Sequence, residues 1–161
     1  MSLFSKKSRT PSDTVAAPVG GDVIPLEAIA DPVFSEGILG KGCGIEPIGE
    51  EIVAPFNGTV SQIADTRHAI GLTSESGIEL LIHVGVDTVD MKGDGFQILV
   101  HSGDRVKRGQ RLMTFSIDKI KAANHAVTVV VVVTNTDDYA DVLLLGRGPK
   151  ARSEEILRVS K

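Results

Sequence analysis

His68-Ala69-Ile70-Gly71-Leu72-Thr73-Ser74-Glu75-Ser76-Gly77-Ile78-Glu79-Leu80-Leu81-Ile82-His83-Val84 holds two runs of strand composition around the turn residues Ser74 to Gly77, and reads as a β-hairpin. If Thr73 faces Ile78 across a four-residue turn, Leu72 faces Glu79, Ile70 faces Leu81 and His68 faces His83. The two imidazoles are then cross-strand neighbours on one face, with Cβ atoms about 5 Å apart. Alternation in the second run puts Ile78, Leu80, Ile82 and Val84 on the core face and Glu79, Leu81 and His83 on the other.

A histidine pair of this kind suits phosphoryl transfer through phosphohistidine, or metal binding. A neutral imidazole nitrogen is a competent nucleophile toward a phosphoryl group near neutral pH. Thr66, two residues before His68, is placed to donate to it and set which ring nitrogen carries the proton. Gly85 is expected to let the backbone approach phosphate oxygens closely. Asp87 lies beside the same surface. His101 and His125 have no partner pattern and read as surface residues.

Outward from the hairpin, short apolar runs alternate with turn signals. Gly20-Gly21-Asp22, Gly40-Lys41-Gly42, Asn57-Gly58, Gly93-Asp94-Gly95, Ser102-Gly103-Asp104 and Arg108-Gly109-Gln110 all punctuate the chain. Segments between them, such as Thr59 to Ile63 and Arg111 to Phe115, have strand length. The pattern predicts an all-β fold, a compact antiparallel β-sandwich or barrel-like domain with a few short helical turns. Val127 to Val133 is the strongest strand, apolar on both faces and so central. Helical turns are expected at Ile117 to Ala123, near Tyr139 to Asp141, and at Leu26 to Asp31, where Pro32 disfavours continuation.

With 161 residues the chain suits one domain with a real core and is short for two. Aromatic residues are only 4% against 42% hydrophobic, so the core is built from Val, Ile and Leu. Residues 1–15 are polar, contain Pro11 and are expected to form a flexible tail before a single domain at 16–161. Lys6, Lys7 and Arg9 beside Leu3 and Phe4 offer at most a weak contact with an anionic membrane. The lone Cys43 forms no internal disulfide, no apolar stretch approaches the length of a membrane span and no signal-peptide pattern appears, so a reducing cytoplasm is the expected location. A formal charge of −4 argues against nucleic-acid binding.

Several segments together resemble the glucose-type enzyme IIA component of the bacterial phosphoenolpyruvate-dependent sugar phosphotransferase system. They are Ala30-Asp31-Pro32-Val33-Phe34, Gly42-Cys43-Gly44-Ile45-Glu46-Pro47, Val53-Ala54-Pro55-Phe56-Asn57-Gly58-Thr59-Val60, Thr66-Arg67-His68-Ala69-Ile70, the run from Glu79 to Val89, and Lys92-Gly93-Asp94-Gly95-Phe96. The resemblance spans roughly Pro18 to the end. It implies a β-sandwich phosphocarrier in which His83 accepts a phosphoryl group from the phosphohistidine of HPr and passes it to a cysteine of a sugar-specific IIB domain or IIBC permease. His68 matches the second histidine, which hydrogen-bonds the phosphoryl group.

The resemblance calls for no magnesium or other cofactor, because the partner proteins complete the electrostatic cradle. It implies an apolar docking face from Val33, Phe34, Ile38, Leu39, Leu81 and Val89, rimmed by Asp31 and Asp87 toward arginines on HPr. Phe34, following Pro32 in an expected loop, is assigned to that face, whereas core membership fits Val33, Ile38 and Leu39 equally well. Regulatory binding of other proteins in one phosphorylation state is a further implication, and a stand-alone monomer is the expected form. Arg67, Ala64 and Lys41 depart from the family pattern, where a neutral Asn, an aromatic and an acidic residue are expected; they bear on partner choice and remove no chemistry.

Two other readings compete. A zinc site would use His68 and His83, with Asp87 as the nearest third ligand. A biotinyl or lipoyl carrier would use Lys92, although Met91 is its only methionine neighbour and Gly93 follows it.

Overall fold

A computed structural model describes residues 12–161, and the expected contact of Lys6, Lys7 and Arg9 with a membrane lies outside them. Fourteen strands occur among the described residues: β1 (Ser12–Ala16), β2 (Gly21–Pro25), β3 (Lys41–Pro47), β4 (Glu51–Val53), β5 (Gly58–Ile63), β6 (Ala69–Ser74), β7 (Glu79–Val84), β8 (Phe96–Ile98), β9 (Arg105–Val106), β10 (Arg111–Phe115), β11 (Val129–Val133), β12 (Asp141–Leu144), β13 (Gly148–Lys150) and β14 (Glu155–Ser160). They form an eight-stranded sheet in the order β13-β2-β3-β11-β7-β6-β5-β9 and two three-stranded sheets, β1-β14-β12 and β4-β10-β8. Every pairing is antiparallel.

One core joins the three sheets. Ile82, Val131 and Ile45 from the large sheet meet Ile52, Met113 and Phe96 from one small sheet and Val15 and Leu157 from the other. This convergence makes the molecule sandwich-like, as the turn-punctuated pattern predicts.

β11 lies between β3 and β7, and all five of its valines are fully buried. Val129, Val131 and Val133 enter the main core. Val130 and Val132 point the other way, under a second apolar cluster of Leu26, Ile29, Phe34 and Val86. A strand covered on both faces needs no polar residue, which is why its sequence does not alternate.

The second cluster is carried by two short helical elements. A 3-10 turn at Leu26–Ala28 precedes α1 (Pro32–Ser35), which begins where Asp31 Oδ1 accepts a hydrogen bond from Val33 N at 3.0 Å. Pro32 therefore opens a new helix at its first position instead of only ending the preceding turn. α2 (Ile117–Ala122) matches the expected turn and is capped by Ser116, whose side chain accepts from Lys119 N. The turn expected at Tyr139 lies just upstream, at Thr136–Asp138.

Two boundaries differ from expectation. Ser12–Ala16 is a strand paired with β14, and Val15 is fully buried, so residues 12–15 belong to the folded body. The hairpin register is shifted by one, with Ala69 opposite His83, Ile70 opposite Ile82 and Thr73 opposite Glu79. Ser74 closes the loop twice: its N–H donates to Ile78 O at 2.8 Å and its Oγ accepts from Ile78 N at 2.9 Å. The loop is thus the three residues Glu75-Ser76-Gly77, with Gly77 at φ 102°, the conformation three-residue hairpins require of their last member.

Ser74→Ala removes the only side-chain acceptor for a buried N–H at this turn. We expect a loss of about 1–2 kcal/mol in urea unfolding; unchanged stability would show that water replaces the hydroxyl.

Candidate functional site

The outward residues of neighbouring strands form rows across the large sheet. One row reads Ala69, His83, Val130, Gly44, and the next reads Gly71, Leu81, Val132, Gly42. His83 therefore stands in the middle of the sheet, between Ala69 and Val130, on the face opposite the main core.

His68 lies just beyond the last pair of β6, where Val84 N donates to its carbonyl oxygen at 2.8 Å. Arg67, at φ 62°, breaks the strand alternation immediately before it. The ring thereby comes to the outer face although the shifted register does not set it opposite His83. The two imidazoles meet edge to face, with centroids 4.7 Å apart and planes at 81°.

Each ring has one nitrogen committed. His83 Nδ1 lies 2.7 Å from Gly85 O, and because a carbonyl can only accept, Nδ1 carries the hydrogen and Nε2 keeps its lone pair. His68 Nδ1 lies 2.7 Å from Thr66 Oγ1, the contact expected from their spacing. If Thr66 donates, the His68 proton sits on Nε2.

Gly85, expected to let the backbone approach phosphate oxygens, has its own amide spent within the fold, where it donates to Thr128 O at 2.9 Å. Its backbone is at φ 78°, and a side chain would collide with Thr88 Cγ2 and crowd Ala126 O. Glycine is needed here to turn the carbonyl back onto His83. Thr88, fully buried, ties the same turn down by donating to Val84 O at 2.6 Å.

Burial and the neighbouring His68 push the His83 pKa down to about 4, against the opposing pull of the Gly85 carbonyl and of Asp31 and Asp87. Burial also lowers the His68 pKa. Both rings are therefore neutral at pH 7.

Of the expected docking residues, Val33, Ile38, Leu39 and Val89 are exposed, and Leu81 is half-buried. Phe34 is not part of an exposed face. It is only 4% exposed and packs edge-on against His83 at 5.1 Å, because α1 rests on Val130 and Val132. Phe96, which sequence reasoning did not assign to the site, stands edge-on to His68 with ring centroids 6.5 Å apart. Asp87 is exposed at the head of the 3-10 turn Thr88–Met91, and Asp31 caps α1.

His101 is exposed, but His125 is not a free surface residue, since its Nε2 meets Asp90 Oδ1 at 2.6 Å and the ring is largely covered. Cys43 is buried, and burial raises its thiol to about 12. No group of three or more His, Cys, Asp or Glu among the described residues is arranged to hold a metal ion, which leaves the zinc alternative without a third protein ligand. Lys92 ends a 3-10 turn in a left-handed conformation instead of occupying the tip of a β-hairpin.

Residues 13–139 match the family described as phosphoenolpyruvate-dependent sugar phosphotransferase system, EIIA 1. The chain belongs to this EIIA family. It is 40% identical over 141 residues to the glucose-specific EIIA component of Staphylococcus aureus (strain COL), covering 87% of this chain and 85% of that protein. It is 44% identical over 128 residues to the β-glucoside-specific EIIBCA component of Bacillus subtilis (strain 168), covering 80% of this chain and 21% of that protein. The solved glucose permease IIA from Mycoplasma capricolum superposes with a TM-score of 0.82 at 27% identity, covering 92% of this chain and 96% of that one. The family assignment makes this EIIA chain a component of a sugar phosphotransferase system. No helix among its described residues is long and apolar enough to cross a membrane.

The lowered His83 pKa fixes a sign. On acidification the unfolded chain takes up the proton first, near pH 6.5. This group's contribution is complete above about pH 6.5 and is lost progressively as pH falls toward 4. In NMR titration His83 should therefore show its Nδ1–H tautomer at pH 7 and a midpoint near 4. A midpoint above 6 would contradict the burial and pairing described here.

Proposed function

We propose that this EIIA protein is a phosphocarrier that accepts a phosphoryl group from phospho-HPr on Nε2 of His83 and passes it to a cysteine of a IIB domain. The observation that carries the proposal is the bond from His83 Nδ1–H to the Gly85 carbonyl, which leaves Nε2 as the free nucleophile.

In the transfer, a bond forms between His83 Nε2 and phosphorus while the bond from phosphorus to the donor's histidine nitrogen breaks. Nδ1 keeps its proton throughout. The ring gains positive character as the bond forms, and the Gly85 carbonyl, 2.7 Å away, stabilises it. With Thr66 donating to His68 Nδ1, His68 Nε2–H is free to donate to a phosphoryl oxygen. Onward transfer reverses the step, with phosphorus leaving to a thiolate and His83 returning to its neutral tautomer.

The hydrophobic setting serves the same end. Phe34 and Val130 hold the His83 ring from its sides, and exposed Val33, Ile38, Leu39 and Val89 supply an apolar surface that a docked partner covers, excluding water from a hydrolysable phosphoramidate. Asp31 and Asp87 lie at the rim, where they complement a cationic partner surface. Phosphorylation-dependent regulatory binding, by the same face, and a cytoplasmic location follow from this role.

Labelled phosphate supplied through phosphoenolpyruvate, enzyme I and HPr tests the proposal. Wild type and His68→Gln should become labelled and His83→Ala should not, while His68→Gln should pass its label to a IIB domain at least about a hundredfold more slowly. An unlabelled wild type, with the upstream proteins active, overturns the phosphocarrier reading.

A further inference from the structure

His125-Ala126-Val127-Thr128 belongs to no helix or strand. Yet this segment supplies the two carbonyl groups that fix the Gly85 turn, Thr128 O accepting from Gly85 N at 2.9 Å and Ala126 O from Val86 N at 3.0 Å. Val86 N and Gly85 O belong to one planar peptide unit. Holding that N–H from one side therefore aims the Gly85 carbonyl at His83 Nδ1, 2.7 Å away on the other.

With no ladder of its own, the segment takes its position from its side chains, and these are anchored at its two ends. Thr128 Oγ1 donates to Glu46 Oε2 at 2.7 Å, and His125 Nε2 meets Asp90 Oδ1 at 2.6 Å. Thr128 interrupts a run that is otherwise valine, Val127 and Val129 to Val133, at a buried position where valine has the same shape. A buried hydroxyl costs free energy unless it is bonded, and here its acceptor is a carboxylate. Its methyl rests over Gly44, where an added Cβ would come within 3.1 Å of Thr128 Cγ2. The register carried one residue past β11 sets Thr128 between Glu46 and Gly85, in the outward row next to that of Gly44, Val130 and His83.

We infer that Thr128 and Glu46 are positioning residues for phosphoryl transfer: their hydrogen bond, with the His125–Asp90 contact at the other end, sets the carbonyls of Thr128 and Ala126 and through them the line of the Gly85 carbonyl onto His83 Nδ1. The inference rests on the phosphocarrier reading and deepens it. Without the hydroxyl the segment is free to shift, the bond to His83 Nδ1 lengthens, and the tautomer protonated on Nε2, which has no lone pair there to attack phosphorus, gains population. Neither Thr128 nor Glu46 is among the exposed apolar residues offered to a partner, so their loss acts on the rate of transfer and not on partner binding.

Thr128→Val removes the hydroxyl at constant shape, Thr128→Ser restores it, and Glu46→Leu removes the acceptor from an exposed position that leaves the fold intact. In Thr128→Val and Glu46→Leu the rate of labelling at saturating phospho-HPr should fall about tenfold with the half-saturating concentration unchanged. Nitrogen NMR of both should show His83 moving toward its Nε2–H tautomer. The double variant should be no slower than either single one, and Thr128→Ser should match wild type. Folded Thr128→Val and Glu46→Leu proteins with the wild-type rate and His83 signals, whatever their stability, overturn the positioning role and leave the carrier role intact. A wild type that takes no phosphate overturns the carrier reading and this role in transfer with it.

Discussion

The site depends on one hydrogen bond, from His83 Nδ1 to the carbonyl oxygen of Gly85 two residues further along the chain. It decides which nitrogen keeps its lone pair, fixes the plane of the ring and, in the proposed transfer, stabilises the charge that a phosphoryl group would induce. The rest of the local structure holds that carbonyl still. Gly85 N and Val86 N are bound to Thr128 O and Ala126 O, and Thr88 is bound to Val84 O. The His125 contact with Asp90 ties the following turn to the same segment. A carbonyl held by these bonds is preorganised, the condition under which electrostatic stabilisation of the proposed transfer is most effective.

A second constraint sets where this bond sits. β11 is covered on both faces, by the main core on one and by the cluster around Phe34 on the other. His83 is its cross-strand neighbour, opposite Val130. The His83 ring is therefore placed at the edge of an apolar layer, not on an open sheet surface. Burial there keeps the imidazole neutral, and the same layer presents exposed apolar residues to a partner. One arrangement of valines thus contributes to stability, to the protonation state of His83 and to the proposed docking face.

Much of this was legible in the sequence because it depended on local patterns. The alternation from Glu79 to Val84 put His83 on the outer face, the valine run marked a strand buried on both sides, and the spacing of Thr66 and His68 foretold their contact. The hairpin register was not legible, because the Ser74 hydroxyl and N–H together make a three-residue loop out of what reads as four. Phe34 was misplaced because its burial comes from Val130 and Val132, about a hundred residues away in the chain. The strand at Ser12–Ala16 was missed for the same reason, since its partner is β14. Gly85 was expected to bring the backbone close to a phosphate, and the structure adds what spacing does not show: its carbonyl meets His83 Nδ1 and its amide is spent in the fold.

The most direct measurement is phosphorus-detected NMR of the phosphorylated, nitrogen-15-labelled protein, which reports the nitrogen bonded to phosphorus. Coupling to Nε2 of His83, with Nδ1 still protonated, is the expected result. Coupling to Nδ1 of His83, or to either nitrogen of His68, would contradict the role assigned to the Gly85 carbonyl and with it the mechanism.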